Sequence, residues 1–253
     1  MATREERARS FGAIAADYDR LRPSAPPQAL DWLVPDECQV AVDLAAGTGL
    51  LTRALVAYGV PRVIAVEPDA QMRAVLAERS GDVDALEGTA EAIPLPDKSV
   101  DAVFASSAWH WFDEALAVKE IARVLRDGGR LGVLWTSRDR DLEWVRTLDR
   151  LPSEGPLDGS VEDRHRWRRE VAAEHDHQFV DVARATFPFT RLMTFDDAVA
   201  MVATYSRVIT AEPSYREQVL DNARATLRAQ FGDAAEVEFP MRSWCWRGDR
   251  APR

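Results

Sequence analysis

Val40-Ala41-Val42-Asp43-Leu44-Ala45-Ala46-Gly47-Thr48-Gly49-Leu50-Leu51-Thr52, continued by Val63-Ile64-Ala65-Val66-Glu67, is the stretch that decides the fold. An apolar strand runs into a Gly47-Thr48-Gly49 turn, a helix begins, and a second apolar strand ends in an acid. The glycines permit a tight turn and a close backbone approach to a ligand, with no Cβ in the way. Glu67, 18 residues beyond Gly49, is spaced to accept both hydrogen bonds of a ribose diol. The wiring is that of a nucleotide-type cofactor site, made by geometry rather than by a reactive side chain.

A dinucleotide fingerprint would read G-x-G-x-x-G and open the helix onto a pyrophosphate. Position 52 is Thr, not Gly, so that fingerprint is incomplete here. With Asp43 four residues before Gly47, the segment resembles motif I of the class I S-adenosylmethionine-dependent methyltransferases. The strand-end Glu67-Pro68, the stretch Gly88-Thr89-Ala90-Glu91-Ala92-Ile93-Pro94 and Asp127-Gly128-Gly129 resemble that family's later motifs, in order. The resemblance implies an α/β, Rossmann-like methyltransferase fold: a mostly parallel seven-stranded sheet with helices on both faces, an antiparallel C-terminal strand and a helical cap insertion.

Outward from this stretch, the chain alternates strand and helix. Helices are expected over 5–20 and 27–34, either side of Pro23, Pro26 and Pro27. Strands are expected at 39–45, 62–67, 82–87, 100–106 and 130–136, with helices at 49–58, 69–79 and 113–126 between them. Asp127-Gly128-Gly129 is expected to end the last of these helices with a left-handed glycine cap. That order predicts a parallel sheet covered on both faces, with the ligand at the carboxyl ends of its strands. Residues 185–192 and 236–246 alternate as antiparallel strands would, and helices are expected at 195–204 and 213–230. The length fits a single domain over 1–253, with an N-terminal helical lid at 1–35 and a cap at 138–180 rich in charge and tryptophan.

Composition narrows the function classes. Hydrophobic content of 46% with 29% charged residues is that of a folded globular chain. No apolar run approaches the roughly 20 residues that span a bilayer, and the charged start Met1-Ala2-Thr3-Arg4-Glu5-Glu6-Arg7 lacks a signal-peptide core, so a cytoplasmic location is expected. The net charge of −10 disfavours nucleic acid and favours a small-molecule substrate, with no membrane partner and a monomer or homodimer as assembly. Arg164-His165-Arg166-Trp167-Arg168-Arg169 reads as a solvated helix face or as a surface for an acidic substrate. Cys38 and Cys245 make no C-x-x-C pair and read as reduced thiols.

The resemblance supplies roles for individual residues. S-adenosylmethionine would lie on Asp43, Ala45, Gly47 and Gly49, with Glu67 on its ribose, Pro68 and Met72 packed on adenine, and Thr89, Ala90 and Glu91 reading the adenine edge. Ser106 would border the methyl. Phe11 to Pro23 resembles the lid of the family's small-molecule members, in which Tyr18 closes over the cofactor and Arg22 pairs with its carboxylate, as the planar arginine fork suits. Ser106-Ser107-Ala108-Trp109-His110-Trp111-Phe112 follows the fourth strand, where the transferred methyl would project. Its aromatic faces would attract a sulfonium and exclude water. The segment is similar to one in methyltransferases of the trans-aconitate type, which esterify small carboxylic acids. Trp109, His110 and Trp111, with Tyr205 and its neighbours Ser206 and Arg207, are the candidate acceptor contacts. His110 is the candidate catalytic base or orienting donor, and a structural imidazole is its alternative.

No metal is expected: the H-x-H pair His175 and His177, with Asp176 and the more distant His165, follows no metal-ligand spacing. The rivals to O-methylation of a small carboxylic acid or hydroxyl are a nicotinamide-dependent oxidoreductase on a related fold, a non-catalytic S-adenosylmethionine-binding protein and an RNA methyltransferase.

Overall fold

The computed structural model describes residues 15–154, 171 and 177–252. Helix α1 is Ala15–Leu21 and α2 is Pro27–Leu33, started by a proline in its first turn. Then come β1 (Val40–Leu44), α3 (Leu50–Tyr58), β2 (Arg62–Val66), α4 (Ala70–Arg79), β3 (Asp84–Leu86), β4 (Val100–Ser106) and α5 (Glu114–Val124). Strand β5 (Leu125–Arg138) is followed by α6 (Glu143–Thr147), β6 (Phe179–Thr194), α7 (Phe195–Ala203), α8 (Ser206–Ile209), α9 (Pro213–Phe231) and β7 (Glu236–Arg250).

The strands form one seven-stranded sheet in the order β3-β2-β1-β4-β5-β7-β6, mostly parallel with antiparallel C-terminal strands. Register fixes where the site lies. Val40 to Leu44 pair in parallel with Arg62 to Val66, so the turn after Leu44 and the acid after Val66 leave the sheet at one edge. On the other side of β1, Asp43 pairs with Phe104. The chain builds outward from β1 to β3 and then crosses back to β4, which makes the ends of β1 and β4 the switch point where a ligand crevice opens.

Two compact units divide the chain, one of Ser24–Thr136, His165–Phe187 and Ser243–Arg253, the other of Met1–Pro23, Ser137–Arg164 and Pro188–Arg242. In the first, alternate residues of the central strands enter two cores: Val42, Leu44, Val103 and Ala105 pack in one, Ala41, Ala102 and Phe104 in the other. That alternation is the sheet's pleat, and burial on both faces explains why β1 and β4 are almost wholly apolar. In the second unit, Ala198, Val199 and Val202 of α7 and Val219, Ala223 and Leu227 of α9 share a core with Val237, Phe239 and Met241 of β7. Trp144 of α6 meets Phe231 and Phe239 edge-on at 5.4 and 5.6 Å.

One local expectation is corrected. Helix α5 ends at Val124, where Leu125 turns to an extended ψ of 139°, rather than at Asp127-Gly128-Gly129. Leu125 already pairs with Val100, and the ladder shifts register before Arg130 pairs with Ala102. Gly128, at φ +77°, serves that irregularity and not a helix cap. Cys38 and Cys245 are free and buried, and burial pushes their thiols up to about 11 and about 12. Among the described residues no helix is long and apolar enough to cross a membrane, and no three potential metal ligands gather. His165, His175, Asp176 and the Arg164–Arg169 cluster lie outside the described residues.

Candidate active site

Glu67 leaves β2 as a link between neighbouring strand tips. Its Oε2 accepts the Gly47 N–H and its Oε1 the Asp69 N–H, each at 2.8 Å. Burial raises its pKa while these two backbone donors oppose the shift. An ionised carboxylate has about four acceptor positions, so two remain for a ligand. Arg73 steadies the same corner through the carbonyls of Glu67 and Pro68, at 2.8 and 3.1 Å.

Asp43, only 1% exposed, lies at the end of β1. Its Oδ2 accepts the hydroxyl of the fully buried Thr52 at 2.6 Å. Burial pushes this carboxyl up to about 7. Thr52 holds the place where a dinucleotide loop would carry its third glycine, and here it binds the acid beneath the turn.

The two loop glycines differ in purpose. A Cβ at Gly49 would meet Ser80 Oγ at 2.7 Å and Leu76 Cγ at 3.0 Å, so close packing against α4 excludes a side chain. A Cβ at Gly47 would meet nothing within 4 Å, which leaves that face of the turn open to a ligand. Both have positive φ, +59° at Gly47 and +83° at Gly49, as does Ala45 at +55°. Gly49→Ala is therefore expected to cost about 2–4 kcal/mol, from strain plus overpacking. Gly47→Ala should cost about 1–2 kcal/mol, from strain alone. Urea unfolding of both variants checks the order, and equal losses would refute the distinction.

Around this turn, Pro68 is exposed and Met72 is buried in the first turn of α4, which Asp69 caps by accepting the Gln71 and Met72 N–H groups. Ala90 is buried and Thr89 exposed. Glu91 is engaged locally, its Oε1 accepting the Asp113 N–H at 2.8 Å where α5 begins. Ser106 closes β4, and a short 3₁₀ turn, Trp109–Trp111, follows Ser107, whose φ is +56°. Trp109 is 1% exposed, packed in the core with Phe112 at 5.6 Å. His110 and Trp111 are partly exposed, with ring centroids 4.5 Å apart. Of the aromatic wall expected from sequence, these two reach solvent while Trp109 anchors the turn.

The remaining expected residues fall in the other unit. There Arg22 lies 5.2 Å from the Tyr18 ring and 4.6 Å from the Tyr205 ring. Sequence reasoning gave no contact in the site to Thr52, Asp69 or Thr48; the buried Thr48 hydroxyl has no hydrogen-bond partner. It also missed Arg138 and Arg140 beside Tyr205, although the spacing of two along a strand end was a signal that both face one way.

A methyltransferase-domain family model matches residues 42–133, the span that runs from β1 through Glu67 and His110 to β5. An uncharacterized methyltransferase of Mycobacterium tuberculosis is 42% identical over 225 residues, which cover 89% of this chain and 88% of that protein. The chain belongs to the class I S-adenosylmethionine-dependent methyltransferases. A second relative of this methyltransferase, a methyltransferase-like protein of Schizosaccharomyces pombe, is 31% identical over 252 residues, 96% of each chain. In fold, the methyltransferase superposes on a protein from Anaeromyxobacter dehalogenans described as a type II methyltransferase, with TM-score 0.67 over 92% of this chain and 99% of that one, at 23% identity. The open face of Gly47 and the orphaned Thr48 hydroxyl fit S-adenosylmethionine at the turn.

Proposed function

We propose that this methyltransferase methylates an oxygen of a small molecule, a carboxylic acid in preference to a hydroxyl. The observation that carries the cofactor half of this reading is the Glu67 carboxylate fixed between the Gly47 and Asp69 N–H groups, beside the buried Asp43. Thr52 stands where a pyrophosphate-binding turn carries its third glycine, with its hydroxyl tied to Asp43, while Glu67 suits a sugar diol. That speaks against a nicotinamide dinucleotide.

When bound, S-adenosylmethionine supplies a methyl group already activated by the sulfonium. Glu67 would hold the ribose hydroxyls, and the open side of Gly47 would admit the methionine portion. Pro68, Met72 and Thr89 to Glu91 would border the adenine, with Asp43, Ala45 and Ser106 lining the inner end. The half-exposed rings of His110 and Trp111 would exclude water and offer π faces to the positive charge. Holding the reactants in line can supply on the order of 7–11 kcal/mol of the barrier. A carboxylate acceptor is ionised at pH 7 and asks for no base, so His110 would orient it by a hydrogen bond. A hydroxyl acceptor would require His110 as base.

The test is release of S-adenosylhomocysteine across parallel panels of small carboxylic acids and alcohols, with calorimetry against S-adenosylmethionine and NAD. Turnover confined to alcohols would remove the carboxylic-acid preference. Tight cofactor binding with no turnover on either panel would favour the silent binding protein, and NAD binding instead would end the reading. His110→Ala is expected to lower kcat about tenfold, the worth of one hydrogen bond, and to weaken cofactor binding less than that. Unaltered turnover would return His110 to a packing role.

A further inference from the structure

Strand β5 ends in Arg138, whose side chain is 0% exposed. Its Nη2 lies 2.6 Å from Asp149 Oδ2, and Arg140 Nη2 lies 3.0 Å from that same oxygen. One carboxylate oxygen is thus shared by two guanidinium groups. Arg22 approaches from the end of α1, and all three arginines surround a single aromatic ring. Their guanidinium carbons lie 4.4 Å (Arg138), 4.6 Å (Arg22) and 5.9 Å (Arg140) from the Tyr205 centroid.

Among the described residues the charges do not balance. Among the described residues, the ion pairs of these three cations run to Asp149 alone. The acids next in sequence are taken: Arg242 pairs with Asp139 at 2.8 Å and with Asp141 at 3.1 Å. Three guanidinium groups against one carboxylate leave two positive charges in a largely dehydrated cluster, where a π face attracts cations without neutralising them. The donors are also unfilled: Arg22 Nη1, Arg138 Nε and Nη1, and Arg140 Nε are buried with no hydrogen-bond partner. Folded proteins seldom leave buried charged donors in this state, because desolvation is then uncompensated. Tyr205 and Arg140 shift as such a cluster requires, while Arg22 is raised by Tyr18 and Tyr205 against its burial. Burial alone would raise Tyr205, yet Arg138, Arg22 and Arg140 together lower it, and burial and then the Arg138 charge lower Arg140. Two other arginines of this unit are matched by acids, Arg20 with Asp197 and Arg207 with Glu154, and Arg191 donates to the Leu21 and Arg20 carbonyls.

We propose that Arg22, Arg138 and Arg140, gathered round Tyr205, form a binding site for a small dianion. The excess of two charges sets the ligand's charge. The planar forks suit paired oxygens, as in a dicarboxylate or a phosphate. Arg140, with 30% of its side chain exposed, leaves the cluster reachable from solvent. Asp149 fills part of the donor set and acts as the internal competitor.

Calorimetry on the full chain without cofactor, at constant ionic strength, tests the site with succinate, inorganic phosphate and acetate as probes. At least one dianion is expected to bind about tenfold or more tightly than acetate, and the ranking of succinate against phosphate names the source. Arg140→Gln should weaken that dianion about tenfold or more, while Asp149→Asn should tighten it by removing the competitor. The opposite sign of the two variants distinguishes a site from general destabilisation. If either variant fails to fold, protection of the wild-type chain against thermal unfolding by the dianion, and not by acetate, gives the same readout. Equal behaviour of all three probes, or an Asp149→Asn variant that binds no more tightly, overturns the proposal. So does displacement of the dianion by S-adenosylmethionine, which would assign the arginines to the cofactor's own carboxylate. The titration reads out whether or not methyl transfer is found, so its failure leaves the proposed reaction standing.

Discussion

Glu67→Ala is expected to raise the dissociation constant for S-adenosylmethionine about a hundredfold, because two hydrogen bonds from a sugar to an ionised acceptor are together worth about 3 kcal/mol. The same change should also cost stability. It orphans the Gly47 and Asp69 N–H groups that the carboxylate now accepts at 2.8 Å, each at about 1–3 kcal/mol if they stay dry. Affinity must therefore be measured where the variant is still folded, by calorimetry below its melting transition. The binding part can be isolated with 5′-methylthioadenosine and its 2′-deoxy form. Wild type should lose affinity on removal of the hydroxyl, and the variant should not. An unchanged dissociation constant in Glu67→Ala, or an equal loss with the deoxy compound in both proteins, would remove Glu67 from the ribose.

Asp43 gives the second large effect, and its sign is opposite to that of a salt-bridged acid. Its carboxyl titrates at about 7 in the folded chain, against 3.8 as the ordinary value, because burial disfavours the charge. The folded state therefore holds its proton more tightly than the unfolded state. This contribution is full below about pH 4 and declines as pH rises to about 7, by on the order of 4 kcal/mol in all. Glu67, also raised by burial, adds in the same direction. Other carboxyls run the other way. Burial opposes ionisation of Asp149 and Glu154, yet Arg138 and Arg140 around Asp149, and Tyr215, Arg207 and Arg150 around Glu154, outweigh it and hold both acids low. The clean measurement is thus the difference between wild type and Asp43→Asn, which keeps an oxygen for the Thr52 hydroxyl. Urea unfolding at pH 5 and pH 8 should show the variant gaining on wild type by about 2–4 kcal/mol between the two. A difference that does not change with pH would mean that Asp43 is ionised throughout.

Both predictions rest on residues that sequence alone could place but not evaluate. Glu67 was legible because a strand-ending acid at a fixed distance from a G-x-G turn is a matter of chain spacing. Its contact with the Asp69 N–H is local, but its contact with the Gly47 N–H depends on parallel register between β1 and β2, which no local pattern encodes. Thr52 shows the limit in the other direction. As the residue in place of a third glycine it argued against a pyrophosphate, but its hydroxyl's partner was invisible until the helix folded back over the strand end. In the run Trp109-His110-Trp111 three polar-aromatic residues look alike in sequence, and packing separates them by burying Trp109 and leaving the other two at the surface. Helix α5 was expected to stop at its glycines, yet pairing of Leu125 with Val100 ends it earlier, since a strand partner outweighs a local cap preference.

By itself, the order of apolar periods and turns in the sequence determined the strand and helix succession, the position of the glycine turn and the acid after the second strand. Those are set by near-neighbour chemistry: glycine's access to positive φ, the pleat's period of two and the helix's period of 3.6. Only the tertiary structure decided which side chains lose water and which charges go unmatched. Arg22, the Arg138 and Arg140 pair, and Tyr205 are far apart along the chain, and their excess of positive charge exists only because folding brings them round one ring with one carboxylate among them. Burial and long-range electrostatics are properties of the assembled environment, and a linear spacing cannot carry them.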